Sequence, residues 1–176
     1  MHKLKTEELG RKSVEEFRLS EKIPVVVILD NVRSMHNVGS VFRTADAFLL
    51  SGICLCGYTP RPPHRDIQKT ALGATESVDW SYYATTEEAV NELKTGGYRI
   101  WAVEQASDSR PLQAFTPKPG EKTAVVFGNE VEGVTPEVIA LCDGVLEIPQ
   151  WGTKHSLNVS VAAGIVLWEI RKSFIV

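Results

Sequence analysis

Apolar residues in this chain fall in short continuous runs instead of strict alternation. Val25–Leu29, opened by Pro24 and closed by Asp30-Asn31, holds four β-branched residues in five. Such a run marks a strand buried on both faces, as in parallel α/β sheets. Further runs at Ile53–Gly57, Trp80–Ala84, Tyr98–Val103, Thr123–Phe127 and Val145–Ile148 bring the predicted strands to six. Helical spacing between them predicts helices over Val38–Leu50, Thr86–Thr95, Pro136–Cys142 and Leu157–Lys172. Thr135-Pro136 is a helix start, a capping hydroxyl followed by proline at the first helical position. The alternation predicts an α/β fold: a mostly parallel six-stranded sheet flanked by helices. Ahead of it, Thr6–Leu19 reads as one charged helix, capped by Thr6 and anchored by Leu9 and Phe17. The chain thus divides into an N-terminal helical extension, 1–22, and a single domain, 23–176.

The last predicted helix is apolar nearly all round. Leu157, Val161, Ile165 and Trp168 form one stripe, and Val159, Ala162, Val166 and Ile170 cover most of the rest. Helices of this kind are buried against more than one neighbour. Ser156 and Asn158 stand at its start, where such side chains satisfy free N–H groups.

Composition narrows the class without naming a function. With 43% hydrophobic and 23% charged residues, the chain is that of an ordinary folded domain. Its apolar runs are too short for a membrane span, and its N-terminus lacks a secretory core. Three cysteines suit reduced thiols in cytoplasm better than a disulfide framework. Cys54 and Cys56 share one face of a strand, and no second pair stands at a metal spacing, so both read as core and no metal is expected. The net charge of −3 leaves any nucleic-acid contact to a local patch.

Ligands of open α/β sheets bind outside the carboxyl ends of the strands. Three polar loops lie there. After the first strand comes Asp30-Asn-Val-Arg-Ser-Met-His-Asn37-Val-Gly39, leading to Arg43-Thr44 on a helix whose buried stripe is Val38, Val41, Phe42, Ala45 and Phe48. Arg43 falls off that stripe, and by periodicity is most simply a solvated arginine beside Asp46; Asn37 is most simply a cap. After the fifth strand comes Gly128-Asn129-Glu130-Val131-Glu132-Gly133, which lacks the Gly-Lys-Ser/Thr of a phosphate loop. After the sixth comes Ile148-Pro-Gln-Trp-Gly-Thr-Lys-His-Ser156-Leu157-Asn158. Ile148 and Leu157 are placed to sandwich a planar ring, although core packing explains them equally well. Trp151 reads either as packing or as a base-stacking surface. Arg61 to Lys69 is basic, and with Arg33, His36, Lys154 and His155 it makes either a phosphate-binding rim or a solvated loop.

Together the three loops resemble the motifs of the SpoU/TrmH family of RNA 2′-O-ribose methyltransferases, in the SPOUT superfamily. Asn37-x-Gly39 with Arg43-Thr44 resembles the first, Gly128-Asn-Glu130-x-x-Gly133 the second, and Ile148-Pro with Ser156-Leu-Asn158-Val-Ser160 the third. They occur in family order across about residues 24 to 172.

The resemblance implies a SPOUT fold with a C-terminal deep trefoil knot, S-adenosylmethionine as cofactor, and a homodimer. It implies Arg43, Asn37, Glu130, Ser156 and Asn158 as catalytic residues, with Glu130 positioning Arg43. Gly128, Asn129, Gly133, Ile148, Leu157 and Val103 would bind the cofactor. Arg33, His36, Arg61, Arg65, Lys69 and Lys154 would bind RNA. A guanidinium holds its proton strongly, so Arg43 is expected to clamp phosphate and stabilise a developing alkoxide instead of acting as a base. Tyr98-Arg-Ile-Trp-Ala-Val-Glu104-Gln105 resembles the branch acting on a D-loop guanosine of tRNA. Ribosomal RNA and a tRNA wobble nucleotide are the alternatives, and a non-catalytic RNA-binding protein on the same fold is the alternative of a different class.

Overall fold

The computed structural model describes residues 1–175; residue 176 and the Thr6 side chain, with its expected capping role, lie outside the description. Seven strands form one sheet: β1 (Ile23–Asp30), β2 (Leu50–Cys56), β3 (Trp80–Tyr83), β4 (Tyr98–Val103), β5 (Arg110–Pro111), β6 (Lys122–Phe127) and β7 (Gly144–Glu147). Their spatial order is β3-β2-β1-β6-β4-β7-β5, and every neighbouring pair is parallel. The strand beyond the expected six is β5, two exposed residues on the edge beside β7. It has no apolar run to announce it, and the edge is where a sheet tolerates proline.

Both faces of the sheet are covered. One carries Val25, Val27, Leu29, Ile53, Leu55, Val125 and Phe127 beneath α2 (Met35–Ala47) and the last helix. The other carries Val26, Ile28, Cys54, Cys56, Ala124 and Val126, packed with residues of α5 (Thr86–Thr95) and α6 (Pro136–Leu141). Continuous apolar strands follow directly from this two-sided burial. Cys54 and Cys56 lie in that second layer, where burial pushes the Cys54 thiol up to about 12 and Cys56 in the same direction.

Several helix boundaries differ from expectation. The N-terminal segment is broken: a 3-10 turn at Thr6–Leu9 ends at Gly10, and α1 (Val14–Leu19) restarts behind Ser13, whose side chain accepts from the Glu16 N–H. Phe17 is buried against the main core, whereas Leu9 is exposed. Helix α2 begins at Met35 because Ser34 caps it, accepting from the Asn37 N–H at 3.3 Å; Asn37 therefore lies inside the first turn and is not the cap. The last helix, α7 (Val159–Lys172), starts after Leu157, with Asn158 as its cap. A short helix, α3 (Arg65–Ala71), begins inside the expected basic loop Arg61–Lys69, and a second, α4 (Ala74–Ser77), follows it. The signal of α3 is Ile67 and Ala71, four apart and buried. Gly39 lets α3 approach α2: a Cβ there would overlap the Thr70 hydroxyl and the Ile67 carbonyl.

The stripe Leu157–Val161–Ile165–Trp168 is not buried within this chain. Helix α7 buries Val159, Ala163, Val166, Leu167 and Ile170 instead, leaving Val161 50%, Ile165 40% and Trp168 48% exposed. Trp168 pairs with the partly buried Phe48 at the end of α2, ring centroids 5.7 Å apart.

Candidate active site

A cleft of about 620 Å³ opens at the carboxyl ends of β4 and β6, walled on its far side by the chain that leaves β7. It falls within the size range of small-ligand sites. All six residues expected to bind a cofactor line it: Val103, Gly128, Asn129, Gly133, Ile148 and Leu157. Glu130, Ser156 and Asn158 line it too. Adjacency of strands explains the gathering, since Val103 pairs with both Phe127 of β6 and Leu146 of β7.

The loop after β6 is folded back on itself. Asn129 and Gly133 exchange backbone hydrogen bonds: the Asn129 N–H donates to the Gly133 carbonyl at 3.1 Å, and the Gly133 N–H donates to the Asn129 carbonyl at 2.9 Å. The buried Asn129 side chain ties the rest: its oxygen accepts from the Val131 and Glu132 N–H groups, and its amide donates to the Asn31 carbonyl and the Tyr58 hydroxyl. Its side chain is thus committed to holding the loop, and what it offers the cleft is main chain. Gly128 is needed because a Cβ there would strike the Gly133 backbone and the Val134 nitrogen.

The three motif loops are joined by one relay of side chains. The Glu130 carboxylate accepts from the backbone N–H groups of Arg33 (2.9 Å) and Ser34 (3.0 Å) and from the Asn37 amide (3.0 Å). The Asn37 oxygen accepts from the Asn158 amide at 3.2 Å, and the Asn158 oxygen caps α7 through the Ser160 N–H at 2.9 Å. Pairing of β1 with β6, Leu29 opposite Phe127, sets the first two loops side by side. Burial alone would raise the Glu130 carboxyl, but its three donors outweigh that and hold it below the ordinary glutamate value.

Arg43 stands apart from this relay. It is exposed on α2 and forms no hydrogen bond or ion pair among the described residues. Within this chain the Glu130 oxygens accept from Arg33, Ser34 and Asn37, and Arg43, expected to be positioned by Glu130, is not among their partners. Nor does Arg43 pair with Asp46, which accepts from the Ser77 hydroxyl.

The basic residues divide into two groups. His36, in the first turn of α2, is joined to the last turn of α3 through the Thr70 hydroxyl, which donates to the His36 carbonyl. Arg65 and Lys69 lie on α3, Lys69 bonded to Asp66 at 2.6 Å, and Arg33 precedes α2. Arg61 lies over the Tyr82 ring at 4.2 Å. Lys154 belongs to the loop after β7, which is tethered instead to Gln105: the Gln105 amide donates to the His155 carbonyl at 2.6 Å.

Glu104 and Gln105 were missed as cleft residues. Glu104 accepts from the Val134 and Gln105 N–H groups, bracing the loop after β6. Their signal was position, directly after a predicted strand, the same criterion that found the other loops.

Fold and cleft together define a class: a parallel α/β protein with a small-ligand site where its strands end. Residues 24–168 match the model of the SpoU rRNA Methylase family, and the chain belongs to that family. It is 33% identical over 166 residues to a tRNA (guanosine(18)-2′-O)-methyltransferase of Thermus thermophilus, covering 94% of this chain and 83% of that one. Among solved structures, an AdoMet-bound rRNA methyltransferase from Sinorhizobium meliloti superposes with a TM-score of 0.81 at 29% identity, over 89% of this chain and 59% of that chain. A TrmH/SpoU tRNA modifying enzyme from A. aeolicus gives 0.80 at 27%, over 91% and 81%.

Proposed function

We infer that this protein is an S-adenosylmethionine-dependent methyltransferase acting on a ribose 2′-hydroxyl of structured RNA, with tRNA the favoured substrate. The observation that carries this reading is the Glu130–Asn37–Asn158 relay, which holds all three motif loops around one cleft. The residues present suit the cofactor. Ile148 and Leu157 offer apolar walls to a flat ring, and the main chain at Gly128 and Asn129 offers polar edges to it.

When bound, the cofactor supplies a methyl group already activated on a sulfonium. The protein's task is then to align a ribose hydroxyl and ease loss of its proton. Asn37 and Asn158 hold the loops that orient it, Glu130 fixes both through Asn37, and Ser156 supports the pocket. Arg43, free of internal partners, clamps the neighbouring phosphate and stabilises the developing alkoxide. Arg33, His36, Arg61, Arg65, Lys69 and Lys154 hold the RNA backbone. The tRNA preference, with a D-loop guanosine as target, is supported by the Thermus relative and by the Tyr98–Gln105 segment; a relative from Neisseria meningitidis named for 23S rRNA keeps ribosomal RNA as the second reading.

The C-terminal segment is read as threaded into a deep trefoil knot. Support comes from the path after β7, which leaves a strand beyond β4 and returns to pack α7 against α2. The exposed apolar stripe of α7 supports a homodimer, with the stripe as its contact. Residues 1–22 are read as an appended extension docked through Phe17, and three free cysteines suit the cytoplasm. The deciding experiment is labelled methyl transfer from S-adenosylmethionine to total tRNA and rRNA, followed by mapping of the protected 2′-O-methyl position. Transfer to a single ribose is the expected result, and no transfer to either pool overturns the reading.

A further inference from the structure

The loop after β7 leaves the cleft wall at Gln150 and rejoins it at Ser156. Between them the chain bulges into solvent, and Trp151 is 91% exposed with no aromatic or cationic partner among the described residues. Single exposed apolar side chains are ordinary on a protein surface. Trp151 differs in size and place: it carries about 150–250 Å² of mostly apolar surface, one residue beyond the cleft wall. A Cβ added at Gly152 beside it would meet no atom of the described residues. Lys154 and His155 follow, both exposed, and the Gln105–His155 bond pins the far limb so that the bulge has a fixed base.

A ribose hydroxyl that reaches the floor of a cleft carries its base with it. The base then leaves its helical stack and its π-face needs a new neighbour. Because the reaction touches only the sugar, that base has no cause to enter the cleft and must lie at the lip. We propose that Trp151 is the platform on which an unstacked nucleobase of the substrate RNA lies, with Lys154 against the adjoining phosphate. The proposal rests on the methyltransferase reading above and adds to it the residue that receives the base. Stacking of this kind tolerates any base, so Trp151 contributes hold and not sequence choice.

The test is steady-state methyl transfer with the tRNA pool, alongside cofactor binding and sedimentation. Stacking on an aromatic side chain corresponds to roughly a five- to hundredfold change in affinity. Trp151→Ala is expected to raise KM for RNA by that factor with kcat kept, while S-adenosylmethionine affinity and oligomeric state stay unchanged. Trp151→Phe, which keeps a ring, is expected to recover most of the loss. A Trp151→Ala protein with wild-type KM for RNA overturns the stacking role while leaving the methyltransferase reading intact. Loss of self-association in Trp151→Ala also overturns it, assigning the ring to a contact between copies. A wild-type protein that methylates no RNA sinks the underlying reading, a failure separate from both.

Discussion

The Asn158 amide donates to the Asn37 side-chain oxygen at 3.2 Å, across 121 residues of sequence. One end of this bond is in the first turn of α2 and the other caps α7, so two helix starts share one anchor. Asn37 is buried and also donates to Glu130, which makes it the middle member of the relay. Asn37→Ala should therefore cost about 1–2 kcal/mol, as for buried hydrogen-bonding groups generally. Combined with Asn158→Ala, the losses should fall short of additivity, a coupling measurable by urea unfolding of both singles and the double.

Glu130 gives the fold a pH dependence of known sign. Its folded pKa lies below the ordinary value of 4.5, so its stabilisation is complete above about that pH and is lost as pH falls through the lower folded value. Unfolding free energy measured from pH 6 down to 3 should drop less steeply in Glu130→Gln than in wild type. The carboxylate is exposed on one side, so added salt should shrink the difference.

Arg43 should separate chemistry from stability. The side chain is exposed and has no hydrogen-bond or ion-pair partner among the described residues, so Arg43→Ala should change unfolding free energy by less than about 0.5 kcal/mol. Cofactor affinity by calorimetry should likewise be unchanged, while methyl transfer to RNA is lost. Retained turnover would remove Arg43 from the mechanism.

Gly128→Ala should damage the cleft from within. The added Cβ meets backbone at Gly133 and Val134, which cannot rotate away as a side chain would. A loss of about 1–3 kcal/mol is expected for overpacking of this kind, with cofactor affinity falling in parallel. Gly152→Ala, where a Cβ meets open space in the loop after β7, is the control and should leave unfolding free energy unchanged.

The exposed stripe of α7 predicts self-association. Val161→Asp with Ile165→Asp should convert a dimer to a monomer in sedimentation equilibrium, with little change in the far-ultraviolet spectrum. A wild-type chain that sediments as a monomer at tens of micromolar would dispose of the dimer.

Strand positions were legible because burial on both faces leaves no polar residue in the run from Val25 to Leu29. The cleft's lining was legible through the motif resemblance, which points to Val103, Gly128, Ile148 and Leu157, all of them on its wall. What the pattern hid was partnership. Glu130 was assigned to Arg43, yet the β1–β6 pairing delivers it to the backbone of Arg33 and Ser34, a consequence of strand order that periodicity does not carry. The face of α7 that this chain itself covers is hidden for a related reason. Periodicity finds apolar faces, but only packing shows which of two faces this chain covers.

The relay also sets an order of events. Glu130 and Asn37 both precede α7 along the chain, and Asn158 reaches Asn37 only when α7 has docked. A chain emerging from the ribosome can therefore assemble the sheet as far as β6 while the cleft still lacks the wall that Ile148 and Leu157 supply. Cofactor affinity is then expected to arrive late, with docking of the last helix, although five of the six basic residues expected to meet RNA lie in the part of the chain made first.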